Sequence, residues 1–277
     1  MSAIPHVELA NGCSVPAIGQ GTWFMGERPD RQREEIATLR RGVELGLTLI
    51  DTATMYGDGL SEQLVGEAIA PVRDEVFLVD KVLPYEASYR GTIASCEGSL
   101  ERLDTDHIDL LLLHWPGSHP VEETVHAFET LIERGLIGAW GVSNFDVDDL
   151  QELPATPLVN QVLYNPSRRG VEYDLLPAHA AASPAIRTMA YSPIEQGRLL
   201  THPALQEVAE QLSATTAQVL VAWAIRSGEV IAIPKASRVE HVQLNAAAAE
   251  LQLSTEQLAA IDDAFAPPQR KLPLQML

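Results

Sequence analysis

The chain has 277 residues, 46% of them hydrophobic, and a formal net charge of −19 from 38 acidic and 19 basic side chains. That length and apolar content can build a sizeable core, while the charge argues against nucleic-acid backbones or anionic membranes as partners. No apolar run approaches the ~18 residues of a membrane-spanning helix, and no basic-then-apolar leader opens the chain, so a cytoplasmic protein is expected. Cys13 and Cys96 lie far apart and are expected to remain free thiols.

Residues 7–9 and 14–16 flank Asn11-Gly12, a pair that favours a tight hairpin turn. A strand punctuated by Gly19 and Gly21 follows at 17–23, then a helix at 31–45 with Ile36, Leu39 and Val43 in helical spacing and Gly46 at its end. Next come a strand at 48–53 and a helix at 61–70, with Ser61 as N-cap and Pro71 beyond its end. The alternation continues with strand 76–82, helix 88–103, strand 108–114, helix 121–134, strand 137–143 and helix 147–153. Strand 158–164 precedes a helix at 173–182, and strand 186–191 precedes helices at 203–212 and 217–226. Strand 230–234 is followed by a helix at 239–249, and a last helix, 254–265, opens with the capping-box spacing of Ser254 and Gln257. Eight strand–helix units without a compositional break predict one α/β domain over residues 1–277. The expected fold is a single (β/α)8 TIM barrel with an N-terminal β-hairpin and two extra helices. Two dinucleotide-binding halves are the alternative, disfavoured because no Gly-x-Gly-x-x-Gly follows any strand.

Three successive strands end in an ionisable residue, Asp51, Lys81 and His114, and Tyr56 lies on the loop leaving the first. Short runs of Val, Ile and Leu bounded by polar residues read as strands buried on both faces. An ionisable group is costly inside such a strand but tolerable at its end, where a cleft can solvate or pair it. Singly, each has an ordinary reading: Asp51 as a loop cap, Tyr56 as a packed aromatic, Lys81 as a cation reaching solvent, His114 as a hydrogen-bonded core histidine. At one rim they form a proton-transfer site. A phenol of pKa ~10 is a poor acid at neutral pH unless a nearby ammonium lowers that value, and a carboxylate paired with the lysine would keep it charged. Asp80, directly before Lys81, should face the opposite way, toward the helices.

These four residues, with Gly141-Val142-Ser143-Asn144-Phe145, Asn160-Gln161-Val162, Ala190-Tyr191-Ser192-Pro193 and Ile233-Pro234-Lys235, resemble the aldo-keto reductase superfamily in motif and order, from Gly19 to Asn245. The stretches 21–27 and 167–177 resemble its bacterial methylglyoxal-reducing branch. The resemblance implies NADPH-dependent reduction of small aldehydes, 2-oxoaldehydes and ketones, with Tyr56 donating the proton, Lys81 and Asp51 lowering its pKa, and His114 orienting the carbonyl oxygen or sharing in the proton delivery. It implies that Ser143, Asn144 and Gln161 hydrogen-bond the nicotinamide carboxamide, and that Tyr191, followed by Ser192, stacks on its ring. Lys235, Ser237, Arg238 and His241 would hold the phosphate end, and Asn245 the adenine. His241 stands where the family usually has arginine, and Ala236 where serine is common, so NADH is expected as a weaker alternative cofactor.

Trp23, Met25, Met55, Trp115 and Phe145 adjoin strand ends and are expected to wall the substrate pocket. The connection after His114 and the tail after Phe265 are short, leaving little chain for a deep lid, which favours small substrates. A small carbonyl compound is the expected partner, with no metal, and the chain is expected to be a monomer. A cofactor-binding sensor with slow turnover is a second reading, disfavoured because all four catalytic positions are intact. A metal-dependent barrel hydrolase would have only Asp51 and His114 as ligands.

Overall fold

The structure, a computed structural model, describes residues 4–277; residues 1–3, which the leader reading above includes, lie outside it. Strands β1 (His6–Glu8) and β2 (Ser14–Pro16) pair antiparallel around Gly12, whose φ of 85° is easy for glycine alone. Eight parallel strands follow in spatial order: β3 (Gln20–Gly21), β4 (Leu49–Asp51), β5 (Phe77–Val82), β6 (Ile108–Leu113), β7 (Ile137–Ser143), β8 (Val159–Leu163), β9 (Arg187–Tyr191) and β10 (Val230–Ala232). The sheet closes on itself. Ile18 and Gly21 bridge to Ala232 and Lys235, and the Gly19 N–H donates to the Ala232 carbonyl at 2.8 Å. A side chain at Gly21 would place its Cβ 2.7 Å from the Ile233 carbonyl oxygen, so the seam requires a glycine there. The strand expected over 17–23 therefore shortens to two residues plus isolated bridges.

The helices α1 (Gln32–Glu44), α2 (Leu60–Ile69), α3 (Tyr89–Leu103), α4 (Val121–Glu133), α5 (Val147–Gln151) and α6 (Leu175–Ala181) each follow a strand. Then come α7 (Pro203–Gln211), α8 (Thr216–Ile225), α9 (Val239–Ala247) and α10 (Thr255–Ala264). Helices α7 and α10, the two extra ones, pack on each other outside the ring. Ser88, Thr215 and Ser254 accept first-turn N–H groups as caps. Ser61 does not cap α2. Gly59, at φ 88°, holds that position, and the Ser61 hydroxyl donates to the Thr22 carbonyl and side chain at 3.1 and 2.8 Å. Pro71 does lie beyond the end of α2, inside a 3-10 turn (Ala70–Glu75) that follows Ile69.

Leu49, Val79, Leu110, Leu112, Val159, Met189 and Ile231 fill the barrel interior, and the hairpin's Val7, Leu9 and Val15 pack onto the same cluster. Arg187, the first residue of β9, donates to the Glu8 carbonyl. The hairpin thus plugs the end where strands begin, leaving open the end where they finish.

Candidate active site

Strand register decides which side chains meet at the open end. Asp51 is in register with Val79 of β5, Lys81 with Leu112 of β6, Leu112 with Gly141 of β7, Ser143 with Gln161 of β8, and Gln161 with Met189 of β9. Side chains an even number of residues apart share a face. Asp51, Lys81, His114, Ser143, Gln161 and Tyr191 consequently all point into the barrel mouth, each new strand contributing at the same level or two residues further along. Asp80, in register with Leu111, has the opposite parity and faces the helices.

The Lys81 ammonium is wholly buried, and all three of its hydrogens are placed: on Asp51 Oδ2 at 2.8 Å, the Thr52 carbonyl at 2.8 Å and Tyr56 Oη at 3.1 Å. Because the ammonium donates to the phenol oxygen, the phenol's own hydrogen is free to point elsewhere. The second oxygen of Asp51 accepts from Gln161 Nε2 at 2.7 Å. Burial pushes Lys81 toward neutrality, but Asp51 above all, with Tyr56, more than offsets it and the pKa rises.

Tyr56 departs from the expectation. Burial raises its pKa and outweighs the opposing pull of Lys81, and Asp51 adds to the rise, so the phenol is held protonated rather than made unusually acidic. His114 is driven the other way, to about 2, by burial first and the Lys81 charge second. It is a neutral imidazole, edge-on to the Tyr56 ring with centroids 6.0 Å apart, and its Nδ1 has no hydrogen-bond partner.

The mouth opens into a cavity of about 670 Å3. Asp51, Tyr56 and His114 lie in its wall with Ser143, Asn144, Gln161, Tyr191, Ser192 and Lys235. Asn144, at φ 59°, donates to the His114 carbonyl at 3.1 Å and accepts from the Tyr191 hydroxyl at 2.9 Å, while Ser143 Oγ donates to the Gln161 carbonyl at 3.0 Å. Burial lowers the Lys235 pKa, with Glu35 opposing. Ser237, Arg238, His241 and Asn245 are not in this wall. They lie on the loop after β10 and along α9, with Arg238 and His241 exposed and Asn245 buried.

Of the expected substrate residues, Trp23, Met55 and Trp115 line the cavity. Met25 and Phe145 do not. Met25 is fully buried in the packing between α1, α2 and the barrel, and Phe145 is buried in the same cluster, walling a separate depression beside α4 and α5. Residues missed by the sequence reading take their place: Phe24, stacked on Trp23 at 4.5 Å, and Met276 and Leu277 from the tail. The tail after Phe265 is therefore not too brief to matter. Lys271 pairs with Asp146 and Asp174 at 2.6 and 2.7 Å, and Leu272 to Gln275 run along the loop after β8, which carries Met276 and Leu277 to the mouth. The short alternation of Leu272, Leu274 and Met276 with Pro273 and Gln275 was the available signal.

Among the described residues no cluster of three or more metal-ligating side chains occurs, and no helix is long and apolar enough to cross a membrane.

The mouth of the closed eight-stranded barrel thus holds a buried lysine that bridges a carboxylate and a phenol. The profile of the aldo/keto reductase family matches residues 17–266, and the chain belongs to that family. It is 49% identical to the methylglyoxal reductase YeaE of Escherichia coli, over 98% of each chain. It is 35% identical to the glyoxal reductase of Bacillus subtilis, over 92% of this chain and 91% of that one. Among solved structures, an aldo-keto reductase from Klebsiella pneumoniae in complex with NADPH superposes with a TM-score of 0.96 at 46% identity, covering 100% of both chains. One from the same organism with NADP and acetate gives 0.95 at 47% identity over 99% of each.

Proposed function

We propose that the protein is an NADPH-dependent reductase of small aldehydes and 2-oxoaldehydes, methylglyoxal among them, with Tyr56 as proton donor. The observation that carries this reading is the Lys81 ammonium donating to Tyr56 Oη at 3.1 Å, which leaves the phenolic hydrogen for a substrate oxygen. The names of the Escherichia coli and Bacillus subtilis relatives and the Klebsiella complexes support substrate class and cofactor.

The cavity wall suits a nicotinamide dinucleotide: an aromatic face at Tyr191, two carboxamides at Asn144 and Gln161, and the half-buried cation Lys235. When bound, that cofactor supplies a hydride to the carbonyl carbon. Tyr56 gives its proton to the carbonyl oxygen. Lys81 then stabilises the phenolate left behind, and Asp51, clamped by Lys81 and Gln161, keeps the ammonium charged and in place. His114, neutral, orients the carbonyl without delivering the proton. Trp23, Met55 and Trp115 give the carbonyl an apolar surround, and Gln161 uses its side-chain Nε2 on Asp51, leaving its side-chain Oε1 for the cofactor's carboxamide.

Steady-state NADPH and NADH oxidation with a panel from methylglyoxal to bulky ketones tests the reading. Methylglyoxal turnover with preference for NADPH is expected, whereas bound NADPH with background turnover throughout would favour a cofactor-binding sensor. The pH dependence adds a sharper check. With His114 neutral down to about 2 and Tyr56 raised above the ordinary phenol value, kcat/KM for reduction should be level across the neutral range. It should fall only on the alkaline side, as Tyr56 loses its proton. A limb near the ordinary histidine pKa of ~6.5 would contradict the role given to His114.

A further inference from the structure

The turn after β9 is built in a shape that side chains resist. Ser192, Glu195 and Gln196 have φ values of 48°, 48° and 55°, and Gly197 follows at 86°. Three non-glycine residues in the left-handed region within five positions are costly, and such strain persists only where the surroundings hold it; it gathers at ligand clamps. Ser192, Pro193, Ile194, Gln196 and Gly197 all face the catalytic cavity, between Tyr191 and the tail.

Glu195 is the exception: its buried side chain turns away from the cavity into a set of donors. Arg168 grips Oε1 through Nε at 3.0 Å and Nη2 at 2.7 Å, and Arg198 reaches the same oxygen at 3.2 Å. Asn165 donates to Oε2 at 2.8 Å and also to the Ser192 carbonyl at 3.0 Å. The loop after β8 thus holds both ends of the turn after β9 through one carboxylate and one amide. Glu195 has a lowered pKa, because these donors together outweigh the burial that would raise it, so the clasp is charged at neutral pH.

We propose that Glu195 is a positioning residue for cofactor retention: clasped by Arg168 and Asn165, it holds the 192–197 turn in its left-handed form against the bound dinucleotide. This rests on a nicotinamide dinucleotide occupying the cavity. Without the clasp the turn relaxes toward ordinary backbone angles, and the wall must be re-formed each time cofactor binds, which lowers affinity chiefly by faster release.

The test is NADPH titration by quenching of intrinsic tryptophan fluorescence, with release followed by stopped flow, on Glu195→Ala, Glu195→Gln, Arg168→Ala and the Glu195→Ala/Arg168→Ala pair. Expected results are a roughly tenfold higher Kd for Glu195→Ala, a smaller rise for Glu195→Gln, and kcat at saturating NADPH within about twofold of the parent. Arg168→Ala should match Glu195→Ala, and the double variant should be no worse than either. A Kd unchanged in all variants overturns the proposal. So does a fall in kcat and Tm with Kd preserved, which marks a structural role only. If Glu195→Ala does not fold, the Arg168→Ala result decides. A parent protein that binds neither NADPH nor NADH removes the proposed function itself; a parent that binds and reduces while the variants behave like it removes only the clasp.

Discussion

Replacing Tyr56 with phenylalanine is expected to reduce kcat for carbonyl reduction by about 10³-fold, in the middle of the ~10²–10⁴ range for a positioned general acid. The Kd for NADPH should change little, because the ring stays and only the hydroxyl touched by Lys81 is lost. The loss cannot be shared out among neighbours. His114 has no proton to give beyond a neutral imidazole's, and Lys81 already commits its three hydrogens to Asp51, Thr52 and Tyr56. Lys81 would be left with one donor unpaired in a dry site, so a modest loss of stability should accompany the change, on the order of 1–3 kcal/mol. Parallel measurement of kcat by NADPH oxidation and Kd by fluorescence checks both halves. Normal turnover in the phenylalanine variant would refute the assignment of the acid.

The second large effect concerns Asp80, which the mechanism does not use. Neither of its carboxylate oxygens has a hydrogen-bond partner of good geometry. Burial, first of all, and then the charge of Glu62 push its pKa up to about 8, against a smaller opposing influence of Ser99 and Lys81. Glu62 itself is taken by Arg102, at 2.6 and 3.0 Å, and Arg102 reaches on to Ser99 at 3.2 Å. Asp80 therefore stays protonated when folded over a pH range in which the unfolded chain has already lost the proton. The native state binds more protons than the unfolded one from about pH 4 to about pH 8, so this group makes stability fall as pH rises through that window. Asp80→Asn removes the titration while keeping the shape. Its advantage over the parent should grow by at least about 2 kcal/mol between pH 5 and pH 8, against a ceiling of ~1.4 kcal/mol per unit. Denaturant unfolding of both proteins at the two pH values measures this. Parallel pH profiles for parent and variant would mean that Asp80 ionises freely in the folded protein.

These two residues also show how far the sequence could be read. Alternating side-chain direction and the order of strand ends suffice to put Asp51, Lys81 and His114 at one mouth and Asp80 behind it. The same holds for the barrel and its extra helices, since Val-, Ile- and Leu-rich strands alternating with helical spacing leave few other closed arrangements. The sign of the Tyr56 shift was not legible, because it depends on how completely the packed site strips water from the phenol. Met25 and Phe145 were misplaced for a related reason: adjacency to a strand end says nothing about which way a loop turns. At Phe24 the backbone passes through φ 65°, and Met25 then packs inward. The tail was overlooked because its position comes from Lys271 meeting Asp146 and Asp174, contacts across more than 90 residues of chain.

The hydrogen bond from Gln161 to Asp51 has a consequence for anyone altering this enzyme. One carboxylate serves both the acid and the wall where cofactor is expected, so a substitution at Gln161 made to change nicotinamide preference will also loosen the lysine. Paired substitutions at positions 51, 81 and 161 will not behave as independent changes, and redesign of cofactor choice is better begun at the far end, around Lys235 and α9.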